Sequence, residues 1–275
     1  MRKNNLYLIL AITILVVIFT TAAICNLCQF QPVKKENNES TKESPDTTAA
    51  KYSTAFDIDY NNPDKYLVQG EQSKIPDTEA IEKLYNEEKG LDHLRQIYNW
   101  LNSEFSTFTA SGGHIGVVTV EQLLNERSLG GCHDYALIYS AISRHFGYPA
   151  IMVETATIPW IKQFQENLQD ADLHKGHVFV EAYLGNKWIL IDPTSGWYVL
   201  DGYKPAQPVI PLDKNNAEKQ REIYGYYAYL KGLDSWDMNI YSNSDTQKAM
   251  DEIATRVDLD EIYYPDYEFG QFKSN

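Results

Sequence analysis

Residues 177–183 (HVFVEAY) and 187–192 (KWILID) are rich in β-branched and aromatic side chains and are joined through Gly185-Asn186. This is the pattern of a β-hairpin. A two-stranded hairpin is marginal alone and needs further strands or a helix against its apolar face. The sequence just upstream offers both. Residues 150–156 (AIMVETA) read as a buried strand. Residues 132–146 read as a helix with Ala136, Leu137, Tyr139, Ala141 and Ile142 inside it, stopped by Gly147 with Pro149 two beyond. The predicted class is α+β, with a helix packed on an antiparallel sheet.

The 275 residues are 43% hydrophobic and 13% aromatic, enough for a packed core. Twenty-four basic against thirty-eight acidic side chains give 24 − 38 = −14, distributed along the chain. A nucleic-acid reader needs a basic face, so no nucleic-acid partner is expected. The three cysteines are Cys25, Cys28 and Cys132, the first two at the end of an apolar run, which excludes a disulfide scaffold and a four-cysteine zinc site.

Arg2 and Lys3 precede an uncharged stretch over residues 6–24 (LYLILAITILVVIFTTAAI), which at about 1.5 Å per residue spans a bilayer core. Residues 1–30 are expected to be one N-terminal transmembrane anchor. The alternative is a cleaved signal segment, for which Thr21, Ala22 and Ala23 supply small residues. Arg2 and Lys3 nearly balance Lys34 and Lys35 across the span, and the soluble part is placed on the extracytoplasmic side. Residues 31–75 form a polar linker and lead-in. Within them, residues 32–51 have almost no large apolar side chain and act as a tether.

In the folded part, Leu91, Leu94, Ile97, Tyr98, Leu101 and Phe105 recur at helical spacing, and Thr119 with Gln122 forms a capping box ahead of Leu123 and Leu124. Residues 159–168 read as a short amphipathic helix carrying Trp160, Ile161, Phe164 and Leu168, a core-packing element or a lid. Residues 201–275 are acidic and tyrosine-rich and are expected to be irregular β structure packed on the core, although tyrosines such as Tyr224, Tyr227 and Tyr264 also suit a carbohydrate surface.

Leu129-Gly130-Gly131 places Cys132 at a helix N-terminus, where unpaired N–H groups and the helix dipole favour a thiolate. A buried, inert cysteine is the bland alternative. Partners lie in the hairpin. Strand alternation puts His177, Phe179 and Glu181 on one face, and Trp188, Leu190 and Asp192 on one face of the next strand. A four-residue loop sets His177 directly opposite Asp192. A two-residue loop sets them on a diagonal of the same face. In either register Asp192 can hold one ring nitrogen of His177 and leave the other for a thiol. Separately, each residue has an ordinary structural explanation; together they suggest nucleophile, base and orienter.

GGCHDYALIYSAISRHFGYPA followed by GHVFVEAYLGNKWILIDPTSG resembles the transglutaminase-like domain family over roughly residues 91–196. The resemblance implies a papain-like α+β core spanning residues 76–200, with its nucleophile helix on an antiparallel sheet. It also implies Cys132 as nucleophile, His177 as general base and Asp192 as its orienter. The implied chemistry is acyl transfer from a protein or peptide amide, including cell-wall peptide, through a thioester, with water or an amine as acceptor and no cofactor. The backbone N–H of Cys132 is the first oxyanion donor. Trp100 and His133 are candidates for the second.

Other signals are thinner. His174 and His177 make an H-x-x-H pair without a further ligand cluster, so no metal is expected. Gly112-Gly113-His114 reads as a flexible turn. Trp197 and Tyr198 either line a cleft or plug the sheet edge. The competing functions are a non-catalytic transglutaminase-like binding module, a cell-wall peptide amidase and an arylamine N-acetyltransferase. The last is disfavoured because the turn before Cys132 lacks the arginine and spacing of an R-G-G-x-C pattern.

Overall fold

The computed structural model describes residues 57–76, 79–166, 174–212 and 224–272, all within the unit Thr47–Asn275. The apolar run over residues 6–24 and the tether over residues 32–51 lie outside the described residues. Among the described residues no helix is long and apolar enough to cross a membrane.

In chain order the helices are α1 (Glu79–Glu82), α2 (Leu91–Glu104), α3 (Val120–Glu126), α4 (Cys132–His145), α5 (Ile158–Glu166) and α6 (Asn243–Ala254). The strands are β1 (Ser106–Thr107), β2 (Ser128–Leu129), β3 (Ala150–Thr157), β4 (Gly176–Leu184), β5 (Lys187–Asp192), β6 (Trp197–Val199), β7 (Val209–Ile210), β8 (Tyr226–Gly232) and β9 (Gly270–Gln271). β1 and β2 form a short parallel pair. The other seven form one antiparallel sheet in the order β7-β8-β3-β4-β5-β6-β9.

Helix α4 is the centre of the packing. Every residue from 133 to 144 is buried, which is the state of a helix enclosed on all sides rather than one lying on a surface. It rests on β3 and β4 and is covered by α2 and α3. The stripe of α2 that meets it is Leu94, Ile97, Tyr98 and Leu101, all buried, as their helical spacing predicts. The capping box at Thr119 is formed, with Gln122 N–H donating to Thr119 Oγ1 and Thr119 N–H donating to Gln122 Oε1. Helix α4 ends in a Schellman motif, in which Gly147 N–H donates to Arg144 O and Tyr148 N–H to Ser143 O.

The hairpin closes through two residues. Gly185 and Asn186 have φ of 56° and 71°, and Leu184 pairs with Lys187 and Val180 with Ile191. That register selects the diagonal placement of His177 and Asp192. Helix α5 buries Ile158, Trp160 and Ile161 against the core, so it is a packing element.

The tyrosine-rich end differs from the irregular β wrapping expected of it. β8 hydrogen-bonds β3 as an interior strand of the sheet, and residues 243–254 are a helix. The buried residues of α6 are only Ala249, Met250 and Ala254 with Thr246, and Ile253 packs beside them half-buried, a stripe too thin to stand out among tyrosines. Residues 57–75, grouped in sequence with the linker and lead-in, are tied to the core. Ser73 N–H and Oγ donate to Asp234 Oδ2, and Gln72 bonds Val118, Val120 and Ser235.

The layer on the other side of the sheet from α4 gathers Val153, Phe179, Leu190, Val199, Ile210 and Tyr226. Beside it a fully buried ion pair joins Lys231 Nζ to Glu181 Oε1 at 2.5 Å. Tyr203 and Tyr60 donate to the same carboxylate, and Lys231 also reaches Tyr60 Oη and Pro205 O. Removing one member of such a pair leaves a buried charge without its partner. Lys231→Met is therefore expected to lower unfolding free energy by about 3–5 kcal/mol. Urea denaturation should show this, with Lys231→Met/Glu181→Leu recovering part of the loss.

Candidate active site

The turn before α4 uses two glycines for two reasons. Gly131 has φ 153° and ψ −170°, a backbone state that side-chain-bearing residues rarely adopt. At Gly130 a Cβ would lie 2.4 Å from Ala110 Cβ. The turn is locked by Asp134, whose Oδ2 accepts from Gly130 N–H and stands 2.6 Å from His114 Nδ1. Burial works against the Asp134 carboxylate, but hydrogen bonds from His133, Gly130 and His114 outweigh it and hold its pKa below the usual value. His114, read in sequence as part of a flexible turn, is thus a clamp on the loop that carries Cys132. Cys132 is half-buried and reduced.

His177 and Asp192 come together as the diagonal register requires. Nε2 of His177 is 3.0 Å from Oδ1 of Asp192, with both side chains almost wholly buried. The same Oδ1 accepts from Thr194 N–H and Ser195 N–H, so the turn after β5 fixes the carboxylate before it meets the ring. Thr155 Oγ1 donates to the backbone carbonyl of His177, and the ring is flanked by Phe179 and Tyr226 at 4.8 and 5.6 Å. The Cys132 side chain completes the set, close enough to the His177 ring to favour its charged form. With Nε2 on Asp192, Nδ1 is the nitrogen left for the thiol.

Burial opposes a charged His177 ring, yet the Asp192 carboxylate, aided by Cys132, pushes its pKa up to about 10. Burial likewise opposes the charge on Asp192, and His177 with the two backbone N–H donors holds its pKa below the usual carboxylate value. The pair is ionised across the neutral range.

Cys132 and His177 open on a cavity of about 370 Å³. Ser111, Gly112 and Ile115 form part of its wall, and Asn243, Thr246, Gln247 and Met250 of α6 another. Two wall residues carry chemistry that the sequence reading missed. Glu154 of β3 is 3% exposed, its Oε1 has no hydrogen-bond partner among the described residues, and burial raises its pKa against the opposing pull of His133 and His177. Tyr229 of β8 is 5% exposed, and its hydroxyl is likewise unpartnered. A lone glutamate within the otherwise apolar strand AIMVETA was a legible signal for the first. Tyr229 is one of the C-terminal tyrosines that suit a carbohydrate surface, and nothing in the sequence sets it apart from the others.

The remaining candidates separate cleanly. His133 lines the cavity, but its Nε2 is engaged 2.6 Å from Ser235 Oγ. Trp100 is not part of the cavity wall; it packs edge-on against Phe105 beneath the Arg127 guanidinium. Trp197 and Tyr198 also lie off the cavity, on β6 between β5 and β9 rather than at the sheet edge, and Tyr198 stacks on Phe272 at 4.9 Å. His174 pairs with Asp251 at 2.7 Å. Among the described residues no cluster of His, Cys, Asp and Glu could hold a metal ion.

Residues 78–193 match the model of the family described as the transglutaminase-like superfamily. No curated protein matches the chain. A solved structure from Cytophaga hutchinsonii, provisionally named a cysteine protease, aligns at 18% identity with a TM-score of 0.41. The alignment covers 68% of this chain and 52% of that one, so this chain spans about half the length of that relative.

The buried pair sets a pH dependence. The folded pKa of His177, about 10, lies above an unfolded value of about 6.5. Its contribution is complete below about pH 6.5 and is lost as pH rises to about 10. Asp192 has a lowered pKa, so its contribution is present above about pH 3.9 and is lost as pH falls below that. The stabilisation by the pair is greatest between about pH 4 and 6.5. Asp192→Asn should lower stability in that window by about 3–5 kcal/mol and flatten both flanks, as read from urea midpoints across pH.

Proposed function

We propose that the transglutaminase-like domain carried by residues 78–193 is a cysteine acyl-transfer enzyme acting on amide bonds of protein or peptide, with water as acceptor. The observation that supports this best is the buried ion pair of His177 and Asp192, with the half-buried Cys132 beside the same ring and Cys132 and His177 both lining one cavity. That arrangement has a donor, an acceptor and a nucleophile in the order the chemistry uses them.

In this reading the proton of Cys132 already rests on His177, whose ring is held ionised by Asp192, and the thiolate sulfur attacks the amide carbonyl carbon. A C–S bond forms while the carbonyl π pair moves to oxygen. The oxyanion accepts from the Cys132 backbone N–H at the start of α4, where the helix dipole also favours negative charge. Collapse breaks the C–N bond, and the leaving nitrogen takes the proton from His177. Water then attacks the thioester and gives its proton to His177, and the C–S bond breaks with its pair going to sulfur, which releases the acid and restores the thiolate beside protonated His177. Asp192 stays ionised throughout and holds the ring in place.

Tethering to a membrane, with the domain on its outer side, belongs to the same proposal. It is supported by the uncharged run over residues 6–24 and the polar stretch that follows. In that setting cell-wall peptide is a substrate class within reach.

Iodoacetamide tests the core of the reading. Cys132 should be alkylated in the folded protein, and His177→Ala should slow alkylation at pH 7 by about 100-fold or more, with Asp192→Ala intermediate. Cys132→Ala should abolish peptide hydrolysis. A thiol indifferent to His177 in folded protein would exclude the enzyme and leave a binding module.

A further inference from the structure

Strand β8 carries one residue more than β3 can pair. Met152, Val153 and Glu154 face Gly232, Lys231 and Leu230 in step, and then Thr155 pairs with Ala228, so Tyr229 has no counterpart. Side-chain alternation breaks at the same point. Tyr226 and Ala228 join the layer on the far side of the sheet, whereas Tyr229 and Leu230, adjacent in sequence, both join the core beneath α4. A bulge has this effect: it inserts one residue and re-aims a side chain.

The side chain so aimed ends in a hydroxyl without a partner. Tyr229 lines the cavity shared by Cys132 and His177, is 5% exposed, and makes no hydrogen bond through Oη among the described residues. Glu154 and Cys132 lie close enough to influence it electrostatically, yet the Oε1 of Glu154 is itself without a partner, and no hydrogen bond joins the two residues. Leaving a buried hydroxyl unmade costs free energy, and phenylalanine would fill the same space without that cost. The hydroxyl contributes nothing visible to the folded state. Burial, with the nearby Glu154 and Cys132, keeps it protonated and therefore a donor.

We propose that the Tyr229 hydroxyl is the second oxyanion donor for acyl transfer at Cys132, acting with the Cys132 backbone N–H. The inference rests on the acyl-transfer reading above. As the C–S bond forms and the carbonyl π pair moves onto oxygen, that oxygen accepts one hydrogen bond from the Cys132 N–H and one from the Tyr229 O–H. No proton is transferred, and the pair returns to the C=O bond when the C–N bond breaks. Tyr229 thus takes the place that Trp100, packed off the cavity, and His133, engaged by Ser235, do not fill.

Two reactions of the same thiol separate this role from others. Acylation by p-nitrophenyl acetate passes through an oxyanion, whereas alkylation by iodoacetamide does not. In the full-length protein, Tyr229→Phe should slow the acylation burst by about 10-fold or more. The alkylation rate should stay within about twofold, and the thermal midpoint should be unchanged or raised by about 2–4 °C. Equal burst rates for Tyr and Phe, in a protein whose alkylation still depends on His177, would overturn the Tyr229 role and leave the enzyme reading intact. Equal slowing of both reactions, or a lowered thermal midpoint, would mark the hydroxyl as structural and also overturn it. Alkylation indifferent to His177 would remove the enzyme reading and this inference with it.

Discussion

The enclosure of α4 is the constraint on which the rest depends. A helix buried along residues 133–144 needs apolar surface on every side, and the fold supplies it with β3 and β4 beneath and α2 and α3 above. Once α4 is held this way its N-terminus cannot move relative to the sheet. That is where Cys132 stands, and the strands beneath it lead directly to His177. Much of the polar architecture nearby serves to keep that end fixed. Asp134 ties Gly130 and His114 to the first turn, and Ser235 holds His133.

The sheet buries two ion pairs, and their surroundings differ in an informative way. Lys231 and Glu181 sit among Tyr60, Tyr203 and Pro205, which satisfy the ammonium and both carboxylate oxygens. This is the environment in which a buried charge pair can hold structure together, because each charge is matched where it lies. His177 and Asp192 are less fully matched. Asp192 Oδ1 is held by two backbone donors, but its Oδ2 has no hydrogen-bond partner among the described residues, and His177 also addresses a thiol beside a cavity. The first pair is closed. The second keeps capacity for a reacting group.

How much of this was legible follows from how local each signal is. The capping box at Thr119, the stripe of α2, the stop of α4 and the hairpin turn are each written in fewer than about fifteen adjacent residues, and each appears in the structure where it was read. The grouping of Cys132 with His177 and Asp192 was also legible, because strand alternation fixes faces before register is known. The register itself needed the φ values of Gly185 and Asn186. Helix α6 was not legible because alanine, methionine and threonine make too thin a stripe. The place of β8 inside the sheet depends on pairing with β3, a strand distant in sequence, from Thr157 with Tyr226 to Met152 with Gly232. The bulge at Tyr229 is further still from the sequence, since it exists only as a mismatch between two strands.

The unsatisfied atoms around the cavity give the last step. Glu154 Oε1, Tyr229 Oη and Thr246 Oγ1 are all buried without hydrogen-bond partners among the described residues, and all three residues line the space beside Cys132. Each such group costs roughly 1–3 kcal/mol, against a net stability of about 5–15 kcal/mol for a domain of ordinary size. Leucine, phenylalanine and valine would remove these three costs with little change in shape. Their concentration at one place is what a site built for a polar guest requires, since donors and acceptors already used by the fold cannot be offered to a ligand. A mixture of acceptor, donor and hydroxyl in one cavity suits a group that presents both a carbonyl oxygen and an N–H. An amide does so, and it is also the bond that the neighbouring thiol is placed to attack.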